Sequence, residues 1–355
     1  MRVKTLNINN LRNISKIHIE LESGLNCFIG ENGAGKTSIL ESLVVLSKGR
    51  SFRSGQITSL IGPDDSHFQI VAKVKSSQGS EHQLGLERGT DYWTARHNGE
   101  DVKQLSEITR LLPHVMLEPN SHTLISGPPD GRRKYLDWSV FHVKHDFLLL
   151  WRRFNRVLKQ RNAALRQSER SVVDSLDPQF VKLGACLHQA RMQHAGLLAE
   201  GLEKKLLLFN KTLSDIEISY RKGWQGDDLA VAIEQSYRRD SERGATGPGP
   251  HKADLHITLD GAPAKERLSR GEQKALTAAM IMAQAELICN LGEQPVLLLD
   301  DLSSELDEEH QERILHAALS LGVQIWVTGT ALSPAIAACG SDYAVFHVKH
   351  GGIEA

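Results

Sequence analysis

The segment 30–38 constrains this chain more than any other, because its sequence Gly-Glu-Asn-Gly-Ala-Gly-Lys-Thr-Ser matches the phosphate-binding pattern G-x-x-x-x-G-K-[ST] in full. The apolar run 25–29 before it is typical of a buried strand, and the run 39–46 after it is typical of the first turns of a helix. Strand, loop and helix together are the context in which this pattern binds a phosphate. A glycine-rich turn that binds nothing is the alternative, and the agreement of all three features disfavours it.

The loop residues have expected roles in binding ATP. Small side chains at most positions leave the backbone N–H groups free to surround a phosphate, and the helix N-terminus adds a partial positive charge. We expect Lys36 to reach the β- and γ-phosphates and the Thr37 hydroxyl to ligate Mg²⁺. The sequence therefore predicts a site for ATP and Mg²⁺ that is formed by Gly30, Glu31, Asn32, Gly33, Ala34, Gly35, Lys36, Thr37 and Ser38.

A second part of this site is predicted near the other end of the chain. The apolar run 295–299 ends in two carboxylates, Asp300 and Asp301. Beside a phosphate loop, the first carboxylate of such a pair holds Mg²⁺ or its waters, and the next orients the attacking water. A strand cap is the alternative role. Because Lys36 and Asp300 lie so far apart in sequence, the chain between them must leave the nucleotide domain and return to it.

Periodicity predicts the remaining elements. Strands are expected at 3–8, 14–21, 68–74, around 84–86, 92–96, 114–117, 216–220, 255–259 and 295–299, with a last strand at 324–328. Helices are expected at 102–112, through the region 132–170, at 180–213 after a break at Asp177-Pro178, at 229–238 and at 268–287. The two runs on either side of the break are expected to form a helical hairpin.

Composition places the chain among ordinary soluble proteins. Of its 355 residues, 40% are apolar and 24% charged, and the formal net charge is −1, so overall charge does not indicate an anionic partner. The N-terminus lacks the apolar core of a signal peptide, and no run of apolar residues is long enough to span a membrane. We therefore expect a cytoplasmic protein. The four cysteines have no C-x-x-C spacing, so neither a zinc site nor a disulfide framework is predicted.

Local charge does indicate a surface for DNA. Between Arg132 and Arg170 there are eleven lysines and arginines and three acids, in a region with helical patterning. A surface for the phosphate backbone of DNA is the favoured interpretation, and a solvated helix face is the alternative. The basic residues whose spacing places them near one face of a helix, and which we predict to contact DNA, are Arg152, Arg153, Arg156 and Lys159.

The segment Leu-Ser-Arg-Gly-Glu-Gln at 268–273 opens a predicted helix and offers a hydroxyl and free N–H groups to an anion. The chain already has a complete phosphate loop. We therefore predict that Ser269 and the backbone at Gly271 serve a nucleotide held by a second subunit. The pentapeptide Phe-His-Val-Lys-His occurs at 141–145 and again at 346–350. Its two histidines could bind a metal ion, but no pattern supplies a third metal ligand, so we interpret the repetition as coincidence.

The order of these motifs resembles that of a known family. The phosphate loop, the segment 268–273, the carboxylates at 300–301 and the Ser-Glu-Leu-Asp segment at 304–307 are similar to the ABC-type ATPase heads of the SMC and Rad50 superfamily. More narrowly, the chain resembles the RecF family of bacterial recombination mediators. This resemblance rests on Pro119 and on the segments 51–53, 124–137, 249–254 and 299–307, which cover most of the chain.

The resemblance implies both a fold and a function. The implied fold is α/β, an ABC-type P-loop ATPase head assembled from the N-terminal segment 1–120 and the C-terminal segment 246–355, with an inserted, mainly helical second domain at 121–245. The implied function is that of an ATP-dependent homodimer that binds DNA at single-strand gaps or junctions and helps RecO and RecR load RecA. Residues expected to act in a weak, DNA-stimulated ATPase reaction are Lys36, Ser269, Asp300 and Asp301.

Three positions depart from the related patterns. Asn120 stands where the family usually has an acid. Asp301 replaces the glutamate of transporter ATPases, and Thr328 replaces their switch histidine. A shorter carboxylate and a missing imidazole predict slow turnover, which suits a timer better than a motor.

Two other functional classes share the nucleotide motifs. An ABC transporter ATPase would couple to a membrane partner, but the basic helical insertion and the Gly-Pro-Pro-x-x-Arg-Arg segment at 127–133 argue against it. An SMC-type chromosome scaffold would need long heptad arms, whereas this chain has only a few tens of residues for each helix.

Overall fold

A computed structural model describes residues 1–53, 55–209, 213–305, 307–338 and 343–354. Its strands are β1 (Arg2–Leu11), β2 (Ile14–Glu20), β3 (Leu25–Ile29), β4 (His67–Lys75), β5 (Glu81–Gly89), β6 (Trp93–His97), β7 (Glu100–Asp101), β8 (His114–Leu117), β9 (Ile216–Arg221), β10 (Asp254–Leu259), β11 (Ala262–Pro263), β12 (Val296–Leu299), β13 (Ile325–Gly329), β14 (Tyr343–Lys349) and β15 (Gly352–Glu354).

Its helices are α1 (Lys36–Lys48), α2 (Ser106–Leu111), α3 (Thr123–Ser126), α4 (Pro129–Val143), α5 (Phe147–Arg166), α6 (Arg170–Phe209), α7 (Leu229–Arg243), α8 (Ala264–Arg267), α9 (Arg270–Asn290), α10 (Leu302–Glu305), α11 (Glu308–Ser320) and α12 (Pro334–Ala338). None of the helices in the described ranges is long and apolar enough to cross a membrane.

The chain divides into two compact units. The first unit contains both ends of the chain, Met1–Ser121 and Lys274–Ala355, and the second contains His122–Gln273. The residues 246–273, which were predicted to lie in the head, thus belong to the second unit. The reason is that β10 pairs along its whole length with β9 of the insertion, so the chain does not return to the head after the loop 244–250.

A six-stranded sheet at the centre of the first unit has the order β15-β14-β3-β13-β12-β8. All its neighbours pair in parallel except β14 and β15. The strands β3 and β12 are almost entirely buried, which explains why their sequences are continuous apolar runs rather than alternating ones. Phe28 of β3 stacks on Phe346 of β14, with ring centroids 5.1 Å apart.

The strand predicted at 324–328 is present as β13, but the prediction that it is the last strand is wrong, because β14 and β15 follow it and were not predicted. The repeated pentapeptide shows why a strand such as β14 is difficult to predict from the sequence. At 346–350 it lies mostly in β14, paired with β3, whereas at 141–145 its first three residues end the helix α4. The same five residues therefore take the conformation that their neighbours in space allow.

The second sheet of the first unit is antiparallel, in the order β2-β1-β4-β5-β6-β7. Its strands alternate buried and exposed residues, as expected for a sheet with one face on the core. A turn at Asn98-Gly99 joins β6 to β7, with φ of 52° and 87° at the two residues. The buried face packs with α1 in one hydrophobic cluster, which includes Leu6, Phe68, Ile39 and Leu43.

The second unit contains a helical hairpin and the three-stranded antiparallel sheet β11-β10-β9. Three residues, 167–169, join α5 to α6, so a helical hairpin is present. Its turn is not at the predicted break at Pro178, which is wrong because α6 continues through it. The missing N–H of a proline within a helix costs about 3 kcal/mol. Contacts on both sides offset this cost: Arg161 pairs with Asp177 at 2.7 Å, and the buried Phe180 ring lies 5.2 Å from Phe154.

Candidate functional site

The phosphate loop joins β3 to α1. Gly30 is required there, since a Cβ atom would lie 2.1 Å from the carbonyl oxygen of Val348. Gly35 precedes the helix with φ of 114°, a conformation that favours glycine. No side chain caps this helix end within the described part of the chain. Because the first N–H groups of a helix have no acceptor within the helix, those of α1 are oriented to bind an anion.

Lys36 is held against the backbone of this loop. Its Nζ donates to the carbonyl oxygens of Gly30 at 2.7 Å and Glu31 at 2.9 Å, and the residue is only 7% exposed. Burial lowers the pKa of Lys36, and the carboxylates of Asp301 and Asp300 oppose this effect. The fold therefore holds one buried cation beside two carboxylates at the loop.

Asp300 connects the two ends of the chain. Its Oδ1 accepts hydrogen bonds from the hydroxyl of Thr37, 263 residues earlier, at 3.0 Å and from the hydroxyl of Thr328 at 2.8 Å. Thr328 in turn accepts from the backbone N–H of Asp301 at 2.8 Å. The structure thus brings together Thr37 and Asp300, the two residues predicted to hold Mg²⁺, and their metal-binding role stays a prediction.

A further carboxylate near Asp300 was missed. Glu118 directly follows β8, the strand beside β12 in the sheet. Burial, followed by the negative charge of Asp300, raises the pKa of Glu118 to about 7. Burial also raises the pKa of Asp300, while its hydrogen bonds from Thr328 and Thr37 act in the opposite direction. The sequence gives no indication of Glu118, because its proximity to Asp300 depends on which strands are neighbours.

The turn between β1 and β2 also contacts the phosphate loop. The side-chain amide of Asn13 donates to the carbonyl of Gly33 at 3.0 Å, and its oxygen accepts from Ser38 at 3.2 Å. The preceding Arg12 forms a bidentate ion pair with the fully buried Glu41, at 2.9 and 2.8 Å. These contacts fix the turn to both the loop and α1.

A cavity of about 510 Å³ is lined by residues of the phosphate loop, including Lys36, Thr37 and Ser38. The other lining residues are Arg12, Asn13, Arg53, Ser59, Ile61, Pro63, Asp301 and Thr328. The residues present fit a nucleoside triphosphate with Mg²⁺. The open helix terminus and Lys36 suit the phosphates, and Thr37 with Asp300 suits a metal that binds through one or two protein oxygens and several phosphate or water oxygens. Among the described residues, no group of three or more His, Cys, Asp or Glu side chains forms a metal site of its own.

Ser269 and Gly271 lie at the exposed N-terminus of α9, in the second unit. Ser269 and Glu272 form a reciprocal capping box: the backbone N–H of Ser269 donates to the Glu272 carboxylate at 2.9 Å, and the N–H of Glu272 donates to the Ser269 hydroxyl at 3.3 Å. This cap explains the Ser-x-x-Glu spacing within the motif. The role predicted for Ser269 towards the nucleotide of a second subunit stays a prediction.

Basic residues of the region 132–170 differ in their surroundings. Arg132 forms a bidentate ion pair with Asp254, and Arg161 is fully buried against Asp177 and Asp240, so these arginines stabilise the second unit. In contrast, the four residues predicted to contact DNA are all exposed along one face of α5, namely Arg152, Arg153, Arg156 and Lys159.

Comparisons with known proteins agree along the whole chain. The family described as RecF/RecN/SMC N terminal domain matches residues 2–353. The DNA replication and repair protein RecF of Xanthomonas oryzae pv. oryzae (strain MAFF 311018) is 39% identical over 362 residues, which cover 100% of both chains. A solved structure of the recombination mediator protein RecF-ATPrS in the RecFOR pathway is similar with a TM-score of 0.87 and 26% identity, over 99% of this chain and 97% of that one.

A more distant likeness concerns the fold alone. The Smc head bound to the C-winged helix domain of ScpA has a TM-score of 0.60 at 13% identity, and covers 100% of this chain and 96% of that one. These likenesses confirm the predicted fold class, an α/β ATPase head built from both ends of the chain with a helical insertion.

Proposed function

Because the chain belongs to the RecF family of DNA replication and repair proteins, we propose that it is an ATP-dependent, DNA-binding recombination mediator of gap repair and replication restart. One observation supports this proposal independently of the likeness to known proteins. The Thr37–Asp300 hydrogen bond of 3.0 Å joins the phosphate loop to the carboxylate strand in the arrangement that nucleotide chemistry needs.

ATP and Mg²⁺ are the proposed ligands of the loop. Lys36 and the N–H groups at the start of α1 would bind the phosphates, and Thr37 with Asp300 would hold the metal. Mg²⁺, when bound, neutralises phosphate charge. Asp301 would orient the attacking water and accept its proton. With an aspartate at this position and Thr328 in place of an imidazole, we propose weak, DNA-stimulated turnover that limits how long the ATP-bound state persists.

Dimerisation on ATP is the proposed response to the nucleotide. Ser269 and Gly271 are exposed and not part of the described loop cavity. An exposed helix N-terminus with a hydroxyl group suits the γ-phosphate of a nucleotide that is held mainly by another subunit. Each homodimer would then contain two composite sites, and ATP would act as part of the interface.

DNA and two proteins are the proposed partners. The exposed basic face of α5 suits the phosphate backbone, and we propose that the dimer binds gapped DNA or junctions between single and double strands. RecR and RecO are the protein partners that would act with it to load RecA on the single strand.

The decisive experiment measures binding of the purified protein to gapped, single-stranded and duplex DNA of equal length, with and without ATP. We expect ATP to strengthen binding to the gapped substrate most. Adding purified RecR and RecO should then speed the loading of RecA on the same substrate. Equal binding to all three substrates, unaffected by ATP, would contradict the proposal.

A further inference from the structure

A cavity of about 730 Å³ lies wholly within the second unit, between β9, the loop after it and α6. Its volume is within the range of about 300–1,000 Å³ that is usual for small-ligand sites. Its walls combine aromatic rings with cations, and we call it the Trp224 pocket. The residues on which its chemistry depends are His188, Tyr220, Arg221, Lys222, Trp224 and Lys252.

The aromatic wall presents flat ring surfaces. The His188 ring stacks on Tyr220 with centroids 5.6 Å apart and an angle of 15° between the planes. It also meets the Trp224 ring at 5.0 Å, nearly edge-on at 77°. All three side chains are only partly buried. Such surfaces favour a planar ring as a ligand, since stacking does not depend on the ligand's hydrogen-bonding pattern.

The charge of the pocket favours an anion. Among the lining residues in the described ranges, Asp254 is the single acid, and both its oxygens are bound by Arg132 at 2.7 and 3.0 Å. The Lys222 amine lies 5.3 Å from the centre of the Trp224 ring and 3.9 Å from the exposed carboxylate of Asp227. Arg221, Lys222 and Lys252 therefore leave the pocket with excess positive charge.

Backbone contacts hold the loop that lines one side of the pocket. Gly223 has φ of +93°, and a Cβ atom there would lie 2.3 Å from the carbonyl oxygen of Gly249. The N–H of Gly249 donates to the carbonyl of Gly223 at 3.1 Å. This close contact fixes the loop that carries Lys222 and Trp224 beside the turn that carries Lys252. A loop that is held by such contacts loses less conformational entropy when a ligand binds.

We propose that the Trp224 pocket binds one unpaired nucleotide of a DNA strand. Its base stacks on Trp224, and its phosphates pair with Arg221, Lys222 and Lys252. This inference rests on the proposed DNA binding and adds the place where an unpaired strand is recognised, in contrast to α5, which contacts phosphates only. An acidic peptide would use the same cations, but it would leave the stacked rings uncovered.

The test compares the affinities of a labelled oligothymidine strand and a blunt duplex of the same length, by fluorescence anisotropy. Trp224→Ala should weaken binding of the single strand about tenfold and leave duplex binding unchanged, because one stacking partner is lost. Trp224→Phe should retain most of the affinity. Trp93→Ala removes an exposed tryptophan of the first unit, outside the pocket, and should have no effect.

A second variant keeps the rings and removes charge. Lys222→Ala with Lys252→Ala should reduce the slope of log K against log salt by about 1.4 on the single strand, at about 0.7 per phosphate contact. Lys16→Ala with Lys103→Ala is the matched control, since both lysines are exposed in the first unit. Both variant proteins should keep the circular dichroism spectrum and melting temperature of the wild type.

Three results would overturn the inference in distinguishable ways. If wild-type protein binds DNA but neither pocket variant changes single-strand affinity, the pocket assignment is wrong and the proposed function stands. If labelled hexaglutamate binds the wild type more tightly than the strand does and loses affinity in Trp224→Ala, the pocket serves a peptide. If the wild type binds no DNA, both this inference and the proposed function fail.

Discussion

The phosphate loop and the exposed basic face of α5 both carry cationic side chains, but the cation of the loop is buried whereas those of the α5 face are exposed to solvent. Lys36 is buried and donates to two carbonyl oxygens, whereas Arg152, Arg153, Arg156 and Lys159 of α5 are exposed. A buried charge interacts in a low dielectric and can decide binding alone. Exposed charges are screened by salt, so their contributions are small and summed over many contacts. The two surfaces should therefore respond very differently to mutation.

The largest effect is expected from Lys36→Met. Losing the one buried cation of the loop should weaken ATP binding by roughly three orders of magnitude, as for other buried charge pairs that lose one partner. ATP-driven dimerisation and hydrolysis should disappear, while the melting temperature stays near that of the wild type. Calorimetric titration and light scattering measure these quantities, with the exposed Lys16→Met as control. Dimerisation of the variant on adding ATP would show that the site is assigned wrongly.

The two carboxylates after β12 should separate binding from turnover. We expect Asp301→Asn to keep ATP affinity and slow hydrolysis about a hundredfold, because it removes a proton acceptor, and to trap a dimer on DNA. Asp300→Asn should instead abolish the increase in ATP affinity that Mg²⁺ provides. Titrations with Mg²⁺ and with EDTA distinguish the two outcomes. An equal loss of affinity in both variants would refute this division of roles.

The variant Ser269→Arg tests whether Ser269, which is exposed on its own subunit, contributes to the nucleotide site of a second subunit. ATP should still bind each monomer, while dimer closure and hydrolysis fall more than tenfold because the long side chain blocks the interface. Ser269→Ala is the matched control for the helix cap, whose loss costs about 1 kcal/mol of stability. Mixing Ser269→Arg with Lys36→Met should restore at most one working site per dimer. Wild-type hydrolysis by Ser269→Arg alone would reduce the motif to a helix cap.

The smallest effect per substituted residue is expected for DNA binding by the basic face of α5. Arg153→Glu with Arg156→Glu should weaken binding to every DNA sequence alike, by up to about tenfold, and reduce the salt slope on duplex by about two units. ATP affinity should not change. The control is Arg238→Glu with Arg239→Glu, two exposed positions on α7, because it changes the net charge by the same amount. If only the control pair alters the slope, the DNA surface lies elsewhere than on α5.

The sequence predicted the parts of the site that depend on local pattern. The glycines, Lys36 and Thr37 are adjacent in the chain, and the carboxylates follow a continuous apolar strand, so both halves of the candidate site could be predicted. The contact between Thr37 and Asp300 could be expected because both residues were predicted to hold the same Mg²⁺ ion. Glu118 and Asn13 were not predicted, because each reaches the site through tertiary contacts that no short segment encodes.

The errors in the fold have the same origin. Pro178 has a strong local tendency to end a helix, yet the Arg161–Asp177 ion pair and the packing of Phe180 outweigh it. The glycine-rich loop 244–250 looks like a domain boundary, but strand pairing keeps the following residues in the second unit. In both cases a local preference of a few kcal/mol was overcome by contacts between residues distant in sequence.

The position of β3 has a consequence for how the protein is made. This strand lies between β13 and β14, which both belong to the last part of the chain. At about 5–20 residues per second, the ribosome needs about 15–60 s to add the roughly 300 residues that separate β3 from these partners. During that time an apolar strand has neither neighbour, while the insertion, whose sheet and helices are complete within one segment, can already fold. Chaperone demand during translation should therefore fall on the nucleotide-binding half of the molecule.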